Sequence, residues 1–340
     1  MTQKPHKRVS RRASAPSRSR SAATFIAQNK SWLVGGATAA LLAGSALFNR
    51  ANARRAEAET PPPGKFIRVD GVRLHYVDRG AGPAVVLLHG NGMMLQDFEA
   101  SGVLALTARH HRVIAFDRPG FGYSDRPRMR IWTPQAQAEL IAKALEQLDV
   151  EGAIVVGHSW GTLVGLAMAL DHPEAVSGLV LLSGYYFGTA RPDVIPLSVP
   201  AIPILGDVVA NTVAPLSALV AGPAALKASF APAPVSDKFA SFPAAMALRP
   251  SQVRAAAADT ALMIPGAVAL SARYGNLKLP VIIMAGEGDL IVHPGKHAEP
   301  LAEVIPEAEL RLVPKQGHFF HYAVPEQVLA AVDDVTHRAG

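Results

Sequence analysis

Eight short stretches of this chain are apolar enough to be strands, and they are patterned in two ways. Phe66 to Val69 and Val72 to Val77 alternate apolar and polar residues on either side of Asp70-Gly71. That predicts a tight hairpin with one solvated face. Ala84 to Leu88, Val113 to Phe116, Ala153 to Val156, Leu179 to Leu182 and Val281 to Met284 are unbroken apolar runs, and Leu310 to Val313 suggests one more. Unbroken runs suit strands buried on both faces of a mostly parallel sheet. Helix-period segments lie between them. The clearest opens at Thr133-Pro134, a cap residue followed by proline at the first helical position, and continues through Leu140, Ile141, Leu145 and Leu148. Another starts near Pro325. An antiparallel start followed by repeated strand–helix units predicts a three-layer α/β sandwich built on a mostly parallel, eight-stranded sheet.

One segment breaks the rhythm. Residues 185–279 are rich in Ala, Pro and Val and contain no clear strand, and frequent prolines divide them into short helices. They read as a helical cap inserted into a core formed by residues 65–184 and 280–340. No internal repeat is visible.

The N-terminus follows a different pattern. Residues 1–31 carry Lys4, Lys7, Arg8, Arg11, Arg12, Arg18, Arg20 and Lys30 with no acidic residue, so they read as a basic, disordered arm. Trp32 to Phe48 is uncharged and apolar. As a helix it would span about 26 Å, just short of a hydrocarbon core of about 30 Å. This makes residues 32–48 a single-pass transmembrane anchor, with Arg50, Arg54 and Arg55 behind it. The larger basic excess lies ahead of the run, which places the C-terminal part on the non-cytoplasmic, periplasmic or extracellular side. The alternative is a secreted protein, cleaved after a signal segment at Ala51-Asn52-Ala53. Residues 49–64 read as a linker, a tether of charged helix that ends in a stiff extended piece at Pro61-Pro62-Pro63.

Composition narrows the picture further. The chain has 340 residues, 49% of them hydrophobic, which supports a sizeable core. The net charge of +6 is concentrated in the basic arm, so it does not describe a nucleic-acid-binding face. The absence of cysteine excludes disulfides, thiolate catalysis and cysteine-ligated zinc. The sequence does not reveal the oligomeric state.

The candidate chemistry centres on Gly157-His158-Ser159-Trp160-Gly161, between an apolar strand run and an Ala- and Leu-rich helix. A serine on such a strand-to-helix turn is pushed out of the backbone envelope. A serine hydroxyl becomes nucleophilic only when a base takes its proton and a third group orients that base. His318, in Gly317-His318-Phe319-Phe320-His321 after the last strand, is the candidate base, with His321 the competitor. Asp289, in Gly286-Glu287-Gly288-Asp289, is the candidate acid, with Glu287 the alternative. Two backbone amides must also receive the developing oxyanion. Trp160 supplies one. Asn91, in His89-Gly90-Asn91-Gly92 after the strand at 84–88, supplies the other. His89 reads as a structural loop histidine. His293 and His297 lack the Glu of an H-E-x-x-H site and read as the start of a surface helix. No dinucleotide motif is present, and neither a cofactor nor a metal is indicated.

Together with Asp117-Arg118-Pro119-Gly120-Phe121-Gly122-Tyr123-Ser124, these residues resemble the α/β-hydrolase superfamily, in its capped branch. That branch holds esterases, C–C bond hydrolases, epoxide hydrolases, haloalkane dehalogenases and cofactor-free haloperoxidases. The resemblance runs from about Phe66 to the C-terminus. It implies a serine hydrolase acting on an ester or related acyl bond of a small apolar substrate through Ser159, His318 and Asp289. It also makes Asp117 a loop-bracing carboxylate. Dehalogenases and epoxide hydrolases of the branch carry Asp where this chain has Ser159, so acyl transfer is favoured. Asn91 and Trp160 nevertheless stand at positions resembling the halide-holding pair of dehalogenases. The other readings are a cofactor-free haloperoxidase or perhydrolase and, less favoured, a non-catalytic ligand receptor.

Overall fold

The computed structural model describes residues 1–2 and 22–340, with side chains at Trp32 and from Val34 onward. Most of the predicted basic arm therefore lies outside the described residues. The chain forms two units, Met1–Gly44 and Ser45–Gly340. Helix α1 (Ala22–Glu59) begins in the first and ends in the second.

The second unit contains an eight-stranded sheet in the order β1-β2-β4-β3-β5-β6-β7-β8. The strands are β1 (Lys65–Val69), β2 (Val72–Arg79), β3 (Ala84–Leu88), β4 (Arg112–Phe116), β5 (Ala153–His158), β6 (Val176–Leu182), β7 (Val281–Gly286) and β8 (Glu309–Val313). β1 and β2 form the predicted hairpin, and both its turn residues, Asp70 and Gly71, take positive φ. A two-residue turn matching strand twist requires that conformation. β2 runs antiparallel to β4, and every pair from β4 onward is parallel. The unbroken apolar runs are buried on both faces, between two layers of helix. The predicted α/β sandwich is therefore the observed fold.

The helices of the core are α2 (Gln96–Ser101), α3 (Val103–Thr107), α4 (Pro134–Gln147), α5 (Trp160–Asp171), α11 (Ala298–Val304) and α12 (Pro325–Ala339). Thr133 caps α4 as its sequence predicts, its Oγ1 accepting the Ala136 N–H at 3.1 Å. Between β6 and β7 lies an all-helical insert: α6 (Val194–Ser198), α7 (Leu205–Asn211), α8 (Val213–Phe230), α9 (Ala244–Ala247) and α10 (Pro250–Ser271). By length and composition α8 and α10 are apolar enough to cross a membrane, yet both belong to this insert.

The end of α1 is docked on the insert. Ser45 Oγ donates to the Thr212 carbonyl at 2.7 Å, and Asn49 Nδ2 donates to those of Asn211 and Thr212 at 2.9 Å. Further along, Ala56 is buried in a cluster with Met246, Phe242 and Phe230. Glu57 pairs with Arg249 at 2.8 Å. The segment read as a linker is thus the expected charged helix as far as Glu59, but it is fastened to its own domain rather than free.

Candidate active site

β5 ends at His158 and α5 begins at Trp160, leaving Ser159 alone on the turn with φ 49° and ψ −116°. A non-glycine residue held there stores about 1–3 kcal/mol of strain and persists only where its surroundings enforce it. Both flanking glycines are required by close backbone approach. A Cβ at Gly157 would lie 2.7 Å from the Thr162 backbone, and one at Gly161 would lie 2.1 Å from the Leu88 carbonyl oxygen.

Asp289 follows β7 and is buried, whereas Glu287 is exposed on the same loop. Asp289 Oδ1 accepts the N–H groups of Ile291 at 2.8 Å and Val292 at 2.9 Å. Its Oδ2 accepts from His318 Nδ1 at 2.8 Å. Burial opposes the carboxylate's charge, but His318 and the two amides outweigh it and hold Asp289 below the usual carboxylate range. A donating Nδ1 leaves the lone pair of His318 on Nε2. His318, Ser159, Asn91 and Trp160 all line one cavity of about 210 Å³. Ser159 Oγ makes no hydrogen bond among the described residues, so Asp289 and His318 are joined while Ser159 only shares a cavity with His318.

Several groups that sequence reasoning missed fix this arrangement. Arg118, read only as part of a pocket-wall turn, is fully buried. It donates to the carbonyls of His89 at 2.8 Å and Gly90 at 3.1 Å, and to Gln137 at 3.0 Å. Its charge is matched by Asp259 of α10 at 2.7 Å. It thus ties the loop carrying Asn91 to the insert. His89 Nε2 accepts the Arg118 amide at 2.9 Å, so its Nδ1 is left to donate to Gly90. Burial and the Arg118 charge press His89 down to about 3, keeping it neutral. Asp117 braces the loops as expected, accepting from the Leu95 amide, the Tyr123 amide and His75 Nδ1 at 2.9, 3.0 and 2.7 Å.

The side chains resembling a halide-holding pair are already engaged. Asn91 Nδ2 donates to the Ala256 carbonyl and Thr260 Oγ1 at 3.1 and 2.9 Å, and Trp160 Nε1 donates to the Asp259 carbonyl at 2.9 Å. Both bind the backbone of α10, and neither N–H is left for a halide.

Behind the elbow, Asp97, His158 and His321 each point one ligand atom into a common space, all within 4.8 Å of one another. Asp97 Oδ2 lies 3.5 Å from His158 Nδ1 and 3.4 Å from His321 Nε2, and Tyr322 donates to Asp97 Oδ1 at 2.9 Å. Burial works against the Asp97 charge, but the two histidines hold it well below the ordinary range. Burial and the charge of His321 lower His158 to about 4. His158 Nε2 contacts the His318 carbonyl at 3.2 Å, so this buried group braces the loop carrying His318. His297, expected on a surface, is instead buried and accepts the Tyr186 amide at 3.2 Å. His293 is exposed and caps Gly295.

A family model described as alpha/beta hydrolase fold matches residues 83–323. The chain belongs to that family. It is 28% identical over 302 residues to an uncharacterized protein of Mycobacterium tuberculosis, the match covering 83% of each chain. It is 35% identical over 128 residues to a 2-hydroxymuconate semialdehyde hydrolase of a Pseudomonas species, covering 37% of this chain and 45% of that one. An enol-lactonase structure from Burkholderia xenovorans superposes with a TM-score of 0.65 at 20% identity, over 80% of this chain and all of the other. At that identity the likeness is one of fold.

Proposed function

We propose that this hydrolase of the alpha/beta family cleaves an ester or related acyl bond by a Ser159–His318–Asp289 relay. His318 Nε2 takes the Ser159 proton as Oγ attacks the carbonyl carbon, and the amides of Asn91 and Trp160 receive the oxyanion. The leaving group departs with the proton from His318, and water releases the acyl group by the same route. The observation that carries this reading is the buried Asp289–His318 hydrogen bond of 2.8 Å, with His318 and Ser159 lining one cavity. The wall of that cavity includes Leu197, Met263, Ile291 and Phe319, which favours an apolar acyl compound. The Pseudomonas relative's name, a semialdehyde hydrolase, fits bond cleavage beside a carbonyl. A serine in place of an aspartate, together with the engaged side chains of Asn91 and Trp160, argues against dehalogenation. Ser159→Ala should lower turnover of p-nitrophenyl esters by about 10⁴-fold or more; retained turnover would remove Ser159 from the mechanism.

Residues 32–48 are proposed as a single-pass anchor that leaves the hydrolase on the non-cytoplasmic side. Among the described side chains, Trp32, Val34, Leu41, Leu47 and Phe48 are exposed. Protease shaving of intact cells would digest the domain after Lys65 if this orientation is right, and would spare it if the domain is cytoplasmic.

A further inference from the structure

The insert carries an apolar face that nothing in its own domain covers. From residue 194 to 226 the one charged residue is Asp207, and it turns to Arg128 and Arg254, each at 2.9 Å. The stretch is apolar without being core. Only 11% of α8 is buried, against 39% of the most apolar 18 residues of α10. On α8, Val213, Leu216, Leu219 and Val220 are exposed, and their spacing of three, six and seven residues puts them on one stripe. The neighbouring α6 and α7 and the turns between them add exposed Ile195 (78%), Ile204 (83%) and Leu205. An apolar surface of this extent on a single domain marks a contact site.

Two observations identify what covers it. Ser45, in the last turn of the apolar run 32–48, and Asn49, just past it, are hydrogen-bonded to Thr212 at the joint between α7 and α8. A chain leaving a bilayer at that point emerges beside the apolar face. Arg50, Arg54 and Arg55 follow on the exposed side of the same helix, where lipid headgroups would lie. The second observation concerns the site: Leu197 lines the cavity that holds Ser159 and is itself 58% exposed on the apolar stretch.

We propose that α6 to α8 seat in the surface of the bilayer that holds the anchor, and that an acyl substrate dissolved in that bilayer enters the site past Leu197. The substrate class is accordingly a lipophilic ester whose apolar part partitions into lipid. This inference rests on the acyl-hydrolase reading and on the anchor.

The test uses the full chain in phosphatidylcholine–phosphatidylglycerol vesicles. Because the chain has no cysteine, single-cysteine variants can be labelled cleanly with an environment-sensitive fluorophore. Val220→Cys probes the face. Glu151→Cys is the control, exposed just ahead of β5 and therefore at the end of the strands opposite the elbow. The label at 220 should shift to the blue and be quenched by lipids carrying a quencher on their acyl chains, while that at 151 should do neither. A water-like, unquenched signal at 220 overturns the proposal. So does energy transfer between labelled copies without lipid quenching, which would make a second copy the occupant. Leu219→Glu with Val220→Glu should then lower kcat/KM on a vesicle-dissolved long-chain ester at least tenfold and leave a water-soluble butyrate ester unaffected. Equal activity on the long-chain ester also overturns it. Flotation with the vesicles reports the anchor, and butyrate hydrolysis reports the relay, so failure of either is seen separately from failure of the docking.

Discussion

Replacing Asp289 with asparagine tests the hydrogen-bond logic of the site without changing its volume. Oδ1 accepts two backbone N–H groups, at 2.8 and 2.9 Å, and must remain an oxygen. The amide nitrogen is therefore forced to the Oδ2 position, 2.8 Å from His318 Nδ1. Two donors cannot share that contact. The imidazole must move its proton to Nε2, the nitrogen that has to accept from Ser159. In serine hydrolases with this constellation the same change costs about 10⁴ in kcat, or about 5 kcal/mol of transition-state stabilisation. The fold should hold, because the two backbone bonds survive. Steady-state hydrolysis of p-nitrophenyl butyrate near pH 7.5 measures the effect, with far-UV circular dichroism confirming the fold. A folded Asp289→Asn variant within tenfold of the parent would refute the assignment of Asp289 as orienting acid.

Other expectations follow from the surrounding contacts. Asp259→Ala leaves the buried Arg118 charge unmatched and should cost about 3–5 kcal/mol in urea unfolding, with loss of turnover as the Asn91 loop loosens; an unchanged midpoint would show that the pair is dispensable. Trp160→Phe removes the indole bond to the Asp259 carbonyl but keeps the backbone amide, so stability should fall by about 1–3 kcal/mol while kcat stays within about threefold. A collapse of kcat with intact folding would give the indole a chemical role. Gly122→Ala sets a Cβ 1.8 Å from the Asp117 carboxylate at φ 51° and should abolish soluble expression, which a pellet–supernatant assay reads directly. His89, His158 and His297 are lowered by burial to about 3, 4 and 4. Each is neutral in the fold but takes a proton on unfolding below about pH 6.5, so stability is present at neutral pH and lost as pH falls toward 4, by as much as about 4 kcal/mol per pH unit. Urea midpoints independent of pH between 6 and 4.5 would contradict this.

The sheet was legible because strands buried on both faces read as unbroken apolar runs, and Thr133-Pro134 announces its helix by local hydrogen bonding alone. The elbow was legible for a similar reason: Gly157 and Gly161 mark places where backbone touches backbone. What stayed hidden depends on pairings across long sequence distances. Arg118 meets Asp259 across 141 residues, and Asp97 meets His321 across 224. A buried arginine in a turn motif looks like a surface one until its partner is placed. His297 was misread because its burial is set by Tyr186 and its neighbours, not by its own segment. Likewise the charged helix after Phe48 reads as a free tether, and contacts distant in sequence, Thr212 and Arg249 among them, fasten it to the domain.

The central claim is that Ser159 is an activated nucleophile driven by His318. Labelling the full chain with a fluorophosphonate, followed by intact mass and peptide mapping, tests it most directly. The account predicts one adduct per chain, on Ser159, absent in Ser159→Ala and formed far more slowly in His318→Ala. An unlabelled Ser159, or labelling that proceeds at the parent rate without His318, would contradict it.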